Sequence, residues 1–249
     1  MVGPRAFRPS YDDLTRGFLA QAHFLVDTLA ATDPDLPTLI PGWRTREMVT
    51  HMVRGLGVIL GSPPTGKRAS IDVNGWAAAI PAAAAGIDES ARHDVGTIDE
   101  LRDQVLHNAA LVAELTPDDV LETKRGPMRA DDVIITRCIE VTLHSLDLAT
   151  AAPLDDTCTR IVVRSLLDVL AMRHPGRSVE VRVPPYAAVQ CIEGPTHTRG
   201  TPANTVECDG VTWLRLAGGR LSWADAVGEG RVRPSGIRAD LSPVLPLLS

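Results

Sequence analysis

Aromatic residues are scarce in this sequence. At 4% of 249 residues they cannot dominate a core, which must be assembled from Leu, Val, Ile and Ala, a composition that leans towards helices. Cysteine is scarce too. The four present, Cys138, Cys158, Cys191 and Cys208, include no Cys-x-x-Cys pair, which excludes a zinc ribbon and gives no sign of an oxidising compartment. They read as small buried thiols. No run of 18 uncharged apolar residues occurs, so no membrane span is expected, and the N-terminal MVGPRAFRPSYDDL lacks the apolar stretch of a signal peptide. A cytoplasmic setting follows as the expectation. Also missing is any cluster of Lys and Arg: the net charge is −6 and the arginines are scattered among acids, so a nucleic-acid partner finds no basic face.

What is present suffices for a packed interior. Hydrophobic residues make up 44% of the chain, and its length suits one large domain or two modest ones. Ser10 begins a helix running to residue 31, with Leu14, Phe18, Leu25 and Leu29 at helical spacing. The proline-rich DPDLPTLIPGW (33–43) is a loop. Thr45, as a possible cap, opens a second helix to about Leu60, broken by Gly61-Ser-Pro-Pro-Thr-Gly. An Ala-rich stretch at 74–90 is weakened as a helix by Pro81 and Gly86. Thr97 and Glu100 form a capping-box pattern ahead of a helix to about Leu115. A turn at Arg125-Gly-Pro precedes the fourth long helix, 130–151, ended by Pro153. Four such helices predict an antiparallel bundle over residues 1–153.

Past residue 153 the periodicity changes. A helix over 157–173 is followed by Val179, Val181 and Val183 alternating with Glu180 and Arg182, the signature of a strand. Further strands are expected at 187–192, 204–208 and around Arg231-Val-Arg. Helices are expected at 210–217 after Asp209, at 223–228 after Ser222, and at 241–248 after Asp240. Residues 154–249 therefore read as an α+β domain.

The fourth long helix carries Glu140, His144 and Asp147, spaced by four and three and so projecting from one face. His51 lies at the edge of the apolar stripe of the second helix. Two helices can thus bring His51, Glu140 and His144 to one point, and three N/O ligands with an open position is the arrangement of catalytic zinc. A carboxylate at Asp147 can hold the ring N–H of a liganding histidine or position the loop bearing Trp43; a plain surface Asp is the competing reading. Trp43 itself reads as a packing residue, and His23, His93, His107, His174 and His197 have no partner spacing.

At these residues the sequence resembles a known family. IPGWRTREMVTHMV (40–53) and CIEVTLHSLDLA (138–149) resemble the paired motifs of the mycothiol-dependent maleylpyruvate isomerase family, within the DinB-like metal-binding superfamily. The resemblance implies a DinB-like four-helix bundle in which His51, Glu140 and His144 bind zinc. It also implies that the thiol of mycothiol binds there as a thiolate and adds to an electrophilic small molecule. Isomerisation results if the thiol leaves again, transfer if it stays. Residues 205–236 resemble a sterol carrier protein-like fold. In the family an arginine of the second domain helps position substrate; Arg215, Arg220, Arg231, Arg233 and Arg238 all compete for that place. The alternative is a carrier that holds an apolar ligand in its C-terminal half, with a structural or vestigial metal site.

Overall fold

In the computed structural model, the Asp13 N–H donates to Ser10 Oγ at 3.1 Å and so caps α1 (Tyr11–Ala31), as the sequence predicts. Residues 7–57, 63–195 and 204–248 are described; the expected end of the second helix near Leu60 and His197 lie outside them. The chain divides into two units, Pro9–Ile161 and Val162–Ser249, the latter with Phe7 and Arg8.

The first unit is helical. α2 (Thr45–Gly57) buries Met48, Val49, Met52 and Leu56. Thr45 is its first helical residue rather than its cap: the Arg44 N–H is met instead by Glu47 Oε2 at 2.7 Å. The Ala-rich stretch folds as two helices, α3 (Val73–Ala78), capped by Asp72, and α4 (Ile80–His93). The break falls at Ala79, leaving Pro81 in the first turn of α4, where its missing N–H costs nothing. α5 (Ile98–Glu114) opens with the predicted capping box. A short hairpin unforeseen in the sequence follows, β1 (Val120–Thr123) paired antiparallel with β2 (Gly126–Arg129), and leads directly into α6 (Ala130–Asp147). α6 ends at Asp147, earlier than Pro153 suggested.

α1 packs against α5 and α6, and α2 packs against the same two, which makes the four-helix bundle. Every residue of α6 is buried except Glu140, so this helix is the centre of the unit. Gln21 on α1 ties the end of α6 to the following chain: its amide donates to Ser145 Oγ at 2.9 Å and to the Pro153 carbonyl at 3.0 Å, and its oxygen accepts from the Asp155 N–H at 2.8 Å. Gly17 permits a close approach, because a Cβ there would stand 3.0 Å from the backbone nitrogen of Cys158.

The second unit combines helices with a sheet. α7 (Asp156–Arg173) precedes β3 (Val179–Val183), β4 (Ala187–Cys191) and β5 (Thr205–Cys208); α8 (Gly210–Ala217), α9 (Trp223–Gly228) and β6 (Val232–Ser235) complete it. The strand order is β4-β3-β5-β6, parallel between β3 and β5 and antiparallel elsewhere. Val179, Val181 and Val183 point into the core, as their alternation predicts. Asp209 and Ser222 cap α8 and α9. Residues 241–248 do not form the expected helix. Pro243 and Pro246 cannot sustain helical hydrogen bonding, and Asp240 caps only a local turn, accepting from the Ser242 N–H at 2.9 Å. Among the described residues no helix is long and apolar enough to cross a membrane.

Candidate metal centre

α2 and α6 bring His51, Glu140 and His144 together. Glu140 Oε2 lies 3.2 Å from His51 Nε2 and 3.3 Å from His144 Nε2, and the three ligand atoms fall within 4.8 Å of one another. Ligands about 2.0–2.1 Å from a tetrahedral ion stand about 3.3 Å apart, so two edges of the required triangle already have the right length. Two imidazoles and one carboxylate also form a donor set suited to zinc.

The carboxylates decide how His144 is used. Its Nδ1 lies 3.0 Å from Asp147 Oδ2, which leaves Nε2 directed at Glu140. Asp147 is fully buried, so the reading of a plain surface Asp is excluded. Its backbone carbonyl also accepts from the Leu39 N–H at 2.7 Å, joining the end of α6 to the loop that carries Trp43. One position thus contacts both the His144 ring and the loop that carries Trp43. Trp43 is buried with its ring 5.2 Å from that of His51 and 6.5 Å from that of His144, while its indole N–H donates to Asp88 Oδ1 at 2.7 Å. The tryptophan thus walls the site as well as packing the bundle end.

Electrostatics differ between the two histidines. Burial pushes His51 below its ordinary range, with the His144 and Arg137 charges adding to that and the Glu140 hydrogen bond only partly opposing it. Burial also presses down on His144, but Asp147 and Glu140 outweigh it and raise the imidazole above its usual value. For Glu140, burial favours the neutral acid. Hydrogen bonds from His144 and His51 and the Arg137 charge prevail, holding the carboxyl well below the usual range. An anionic oxygen is thereby kept between two imidazole nitrogens.

His51 and Glu140 open on a cavity of about 410 Å³ lined from α2, α3, α4, α6 and the β1–β2 hairpin. Its walls include Trp76, Ile87, Met128, Val133 and Arg137, none of which the sequence singled out. Arg137 stands three residues before Glu140, one position ahead of the 138–149 segment, but an isolated arginine carries no spacing signal. Cys138, in contrast, is fully buried, with burial and the neighbouring Cys158 raising its thiol well above the ordinary range. Among the arginines of the second unit, Arg231 pairs with Glu229 at 2.7 Å and Arg233 approaches Glu207 at 4.0 Å.

Comparison with known proteins gives this geometry its context. Two crystal structures share the fold over 91% of this chain and 93% of theirs. One is the mycothiol-dependent maleylpyruvate isomerase, at 16% identity and a TM-score of 0.56, and the other is a His-to-Ala mutant of it, at 15% and 0.57. A search of curated proteins found no match. Residues 155–247 match the family described as Bacterial SCP ortholog, in line with the sterol carrier protein-like resemblance of the C-terminal half. Residues 16–149, more than half of the sequence, match the Mycothiol maleylpyruvate isomerase N-terminal domain. The chain belongs to the mycothiol maleylpyruvate isomerase N-terminal domain family.

Proposed function

We propose that this protein is a cytoplasmic, zinc-dependent thiol transferase or isomerase that uses mycothiol and acts on an electrophilic small molecule. The observation that carries the reading is the convergence of His51, Glu140 and His144 at the edge of a cavity: three ligands on two helices, with room beside them for a reactant. His51, Glu140 and His144 would hold the ion, which would supply Lewis acidity that lowers the pKa of a thiol brought to its open position.

The chain's own residues do the rest. Asp147 holds the His144 ring by Nδ1 and so presents Nε2. Trp43 closes the side of the histidines away from solvent. The cavity walls orient the electrophile. In the reaction the sulfur adds to an electrophilic carbon and a proton is taken up at the neighbouring carbon. Loss of the same sulfur and a proton after bond rotation gives an isomer, whereas retention gives a conjugate.

Metal analysis of the purified protein, followed by conjugation and isomerisation assays with mycothiol before and after chelation, tests the proposal. Near-stoichiometric zinc and activity that needs both zinc and thiol are expected. Thiol-independent turnover, or none with zinc and mycothiol present, overturns it; the latter together with binding of an apolar ligand would favour the carrier reading, which the match to the Bacterial SCP ortholog family supports.

A further inference from the structure

The three edges of the ligand triangle are not set in the same way. Glu140 and His144 share a face of α6 at a spacing of four, so the helix itself fixes their separation. The two edges that include His51 depend instead on where α2 stands against α6. Ligands have to be held within about 0.5 Å of the productive geometry, so the placement of α2 decides whether the third ligand is in reach.

Among the described residues, two ties hold that placement, one on each side of the centre. Beyond His144, the Leu39 N–H ahead of α2 donates to the Asp147 carbonyl at 2.7 Å. Before Glu140, Arg137 reaches across from α6. Its Nη1 donates to the Gly55 carbonyl of α2 at 2.9 Å, and its Nε is steadied by Thr136 Oγ1 at 3.3 Å. The pairings Leu39 with Asp147, His51 with Glu140 and Gly55 with Arg137 run in opposite directions along the two segments, which puts the ligands between the ties.

Arg137 is an unusual group to use for such a tie. It is 4% exposed and, among the described residues, forms no ion pair, so a buried cation is kept for a backbone carbonyl despite the cost of its burial. The next carbonyl of α2, that of Leu56, accepts from Asn108 Nδ2 at 3.1 Å, but Asn108 belongs to α5, which carries no ligand. The last turn of α2 is thus anchored twice, to the ligand helix through Arg137 and to a packing helix through Asn108.

We propose that Arg137 is a positioning residue for the metal centre: by holding the Gly55 carbonyl it sets the distance of His51 from Glu140 and His144. The inference rests on those three residues holding an ion, as the proposed function requires, but not on the thiol chemistry.

The probes are Zn2+, titrated into the full chain against a competing chelator, and Co2+, whose visible absorption reports coordination geometry. Arg137→Met, similar in length and unable to donate, should lower zinc affinity at least about tenfold, as expected when a group that orients a metal ligand is removed, and should alter the cobalt spectrum. Arg137→Lys, which can still donate to Gly55, should recover part of both. Asn108→Leu is the control, because it removes only the tie to α5. It should lower the denaturation midpoint while affinity and spectrum stay near those of the unaltered chain. Arg137→Gln, too short to reach Gly55, decides the matter should Arg137→Met fail to fold. Unchanged affinity and spectrum in the folded variant overturn the proposal and leave the proposed function untouched. An equal loss in Asn108→Leu also overturns it, since Arg137 would then be one contributor to general stability. An unaltered chain that binds neither ion defeats this inference together with the proposed function. Ion binding that depends on Arg137 in a protein that never reacts with thiols defeats the proposed chemistry and leaves this inference standing.

Discussion

Among the described residues, the buried acidic, basic and imidazole side chains of the bundle unit, Asp131, Asp132, Arg137, His144 and Asp147, all belong to α6, whereas the unit built on the sheet buries only neutral polar groups such as Ser178, Asn204 and Thr212. β3 achieves its burial by alternation, Val179, Val181 and Val183 inward and Glu180 and Arg182 half-exposed between them. α6 has no such economy, because it is surrounded on all sides and must satisfy each polar group within the core. Polar groups kept inside at that cost point to a site, while alternation points to a scaffold.

The contrast is sharpest at His144. Replacement by Ala is expected to lower metal affinity by at least about a hundredfold, since one of three ligands is lost. Metal content after exhaustive dialysis measures it, and wild-type content in the variant would break the contrast. Asp147→Ala should come next. It leaves the ligands in place but frees the ring that Asp147 orients, with an expected loss of about tenfold to a hundredfold in metal affinity. A stability loss of about 2 kcal/mol should accompany it, from a buried partner left unsatisfied. Competition with a chelator and denaturant unfolding read the two effects separately.

Val181→Ala, on the sheet, should show the opposite pattern. About 2 kcal/mol of stability is expected to go with the lost methyl groups and the space they leave, while metal content stays unchanged. Metal loss in that variant would mean the units are not separable in function. The smallest effect is expected from the cysteines. Burial pushes Cys191 and Cys208 up to about 12, so at pH 8 both remain protonated and resist alkylation in the native protein. Cys138 and Cys158 are buried as well. Changing all four to Ala should leave thiol-dependent turnover in place, provided circular dichroism confirms folding. Rapid native-state alkylation at pH 8 would contradict the assignment.

Much of this arrangement was legible in the residues because it is local. Ser10, Thr97 with Glu100, Asp209 and Ser222 cap helices through contacts three residues long, and Glu140, His144 and Asp147 meet through helical spacing alone. What escaped was either too short or too distant. The β1–β2 hairpin has strands of four residues, with Pro127 inside the second, which argues against a strand until it is seen paired with Glu122. The role of Arg137 depends on Gly55, 82 positions away, and on a cavity assembled from five elements. The approach of Trp43 to His51 and His144 joins the loop before α2 to α6, a contact that no local spacing reveals.

That Glu140 is the one α6 position left partly uncovered has a bearing on how such a protein can change. Substitutions along the rest of the helix disturb a filled interior and are constrained by every neighbour at once. Part of the cavity wall comes instead from shorter pieces, the six-residue α3 and the hairpin of two four-residue strands, whose side chains can be exchanged with less consequence for the whole. Descendants of one ancestor can therefore diverge in the compound they accept while inheriting the same three ligands unaltered, with diversity confined to the rim and constancy to the axis.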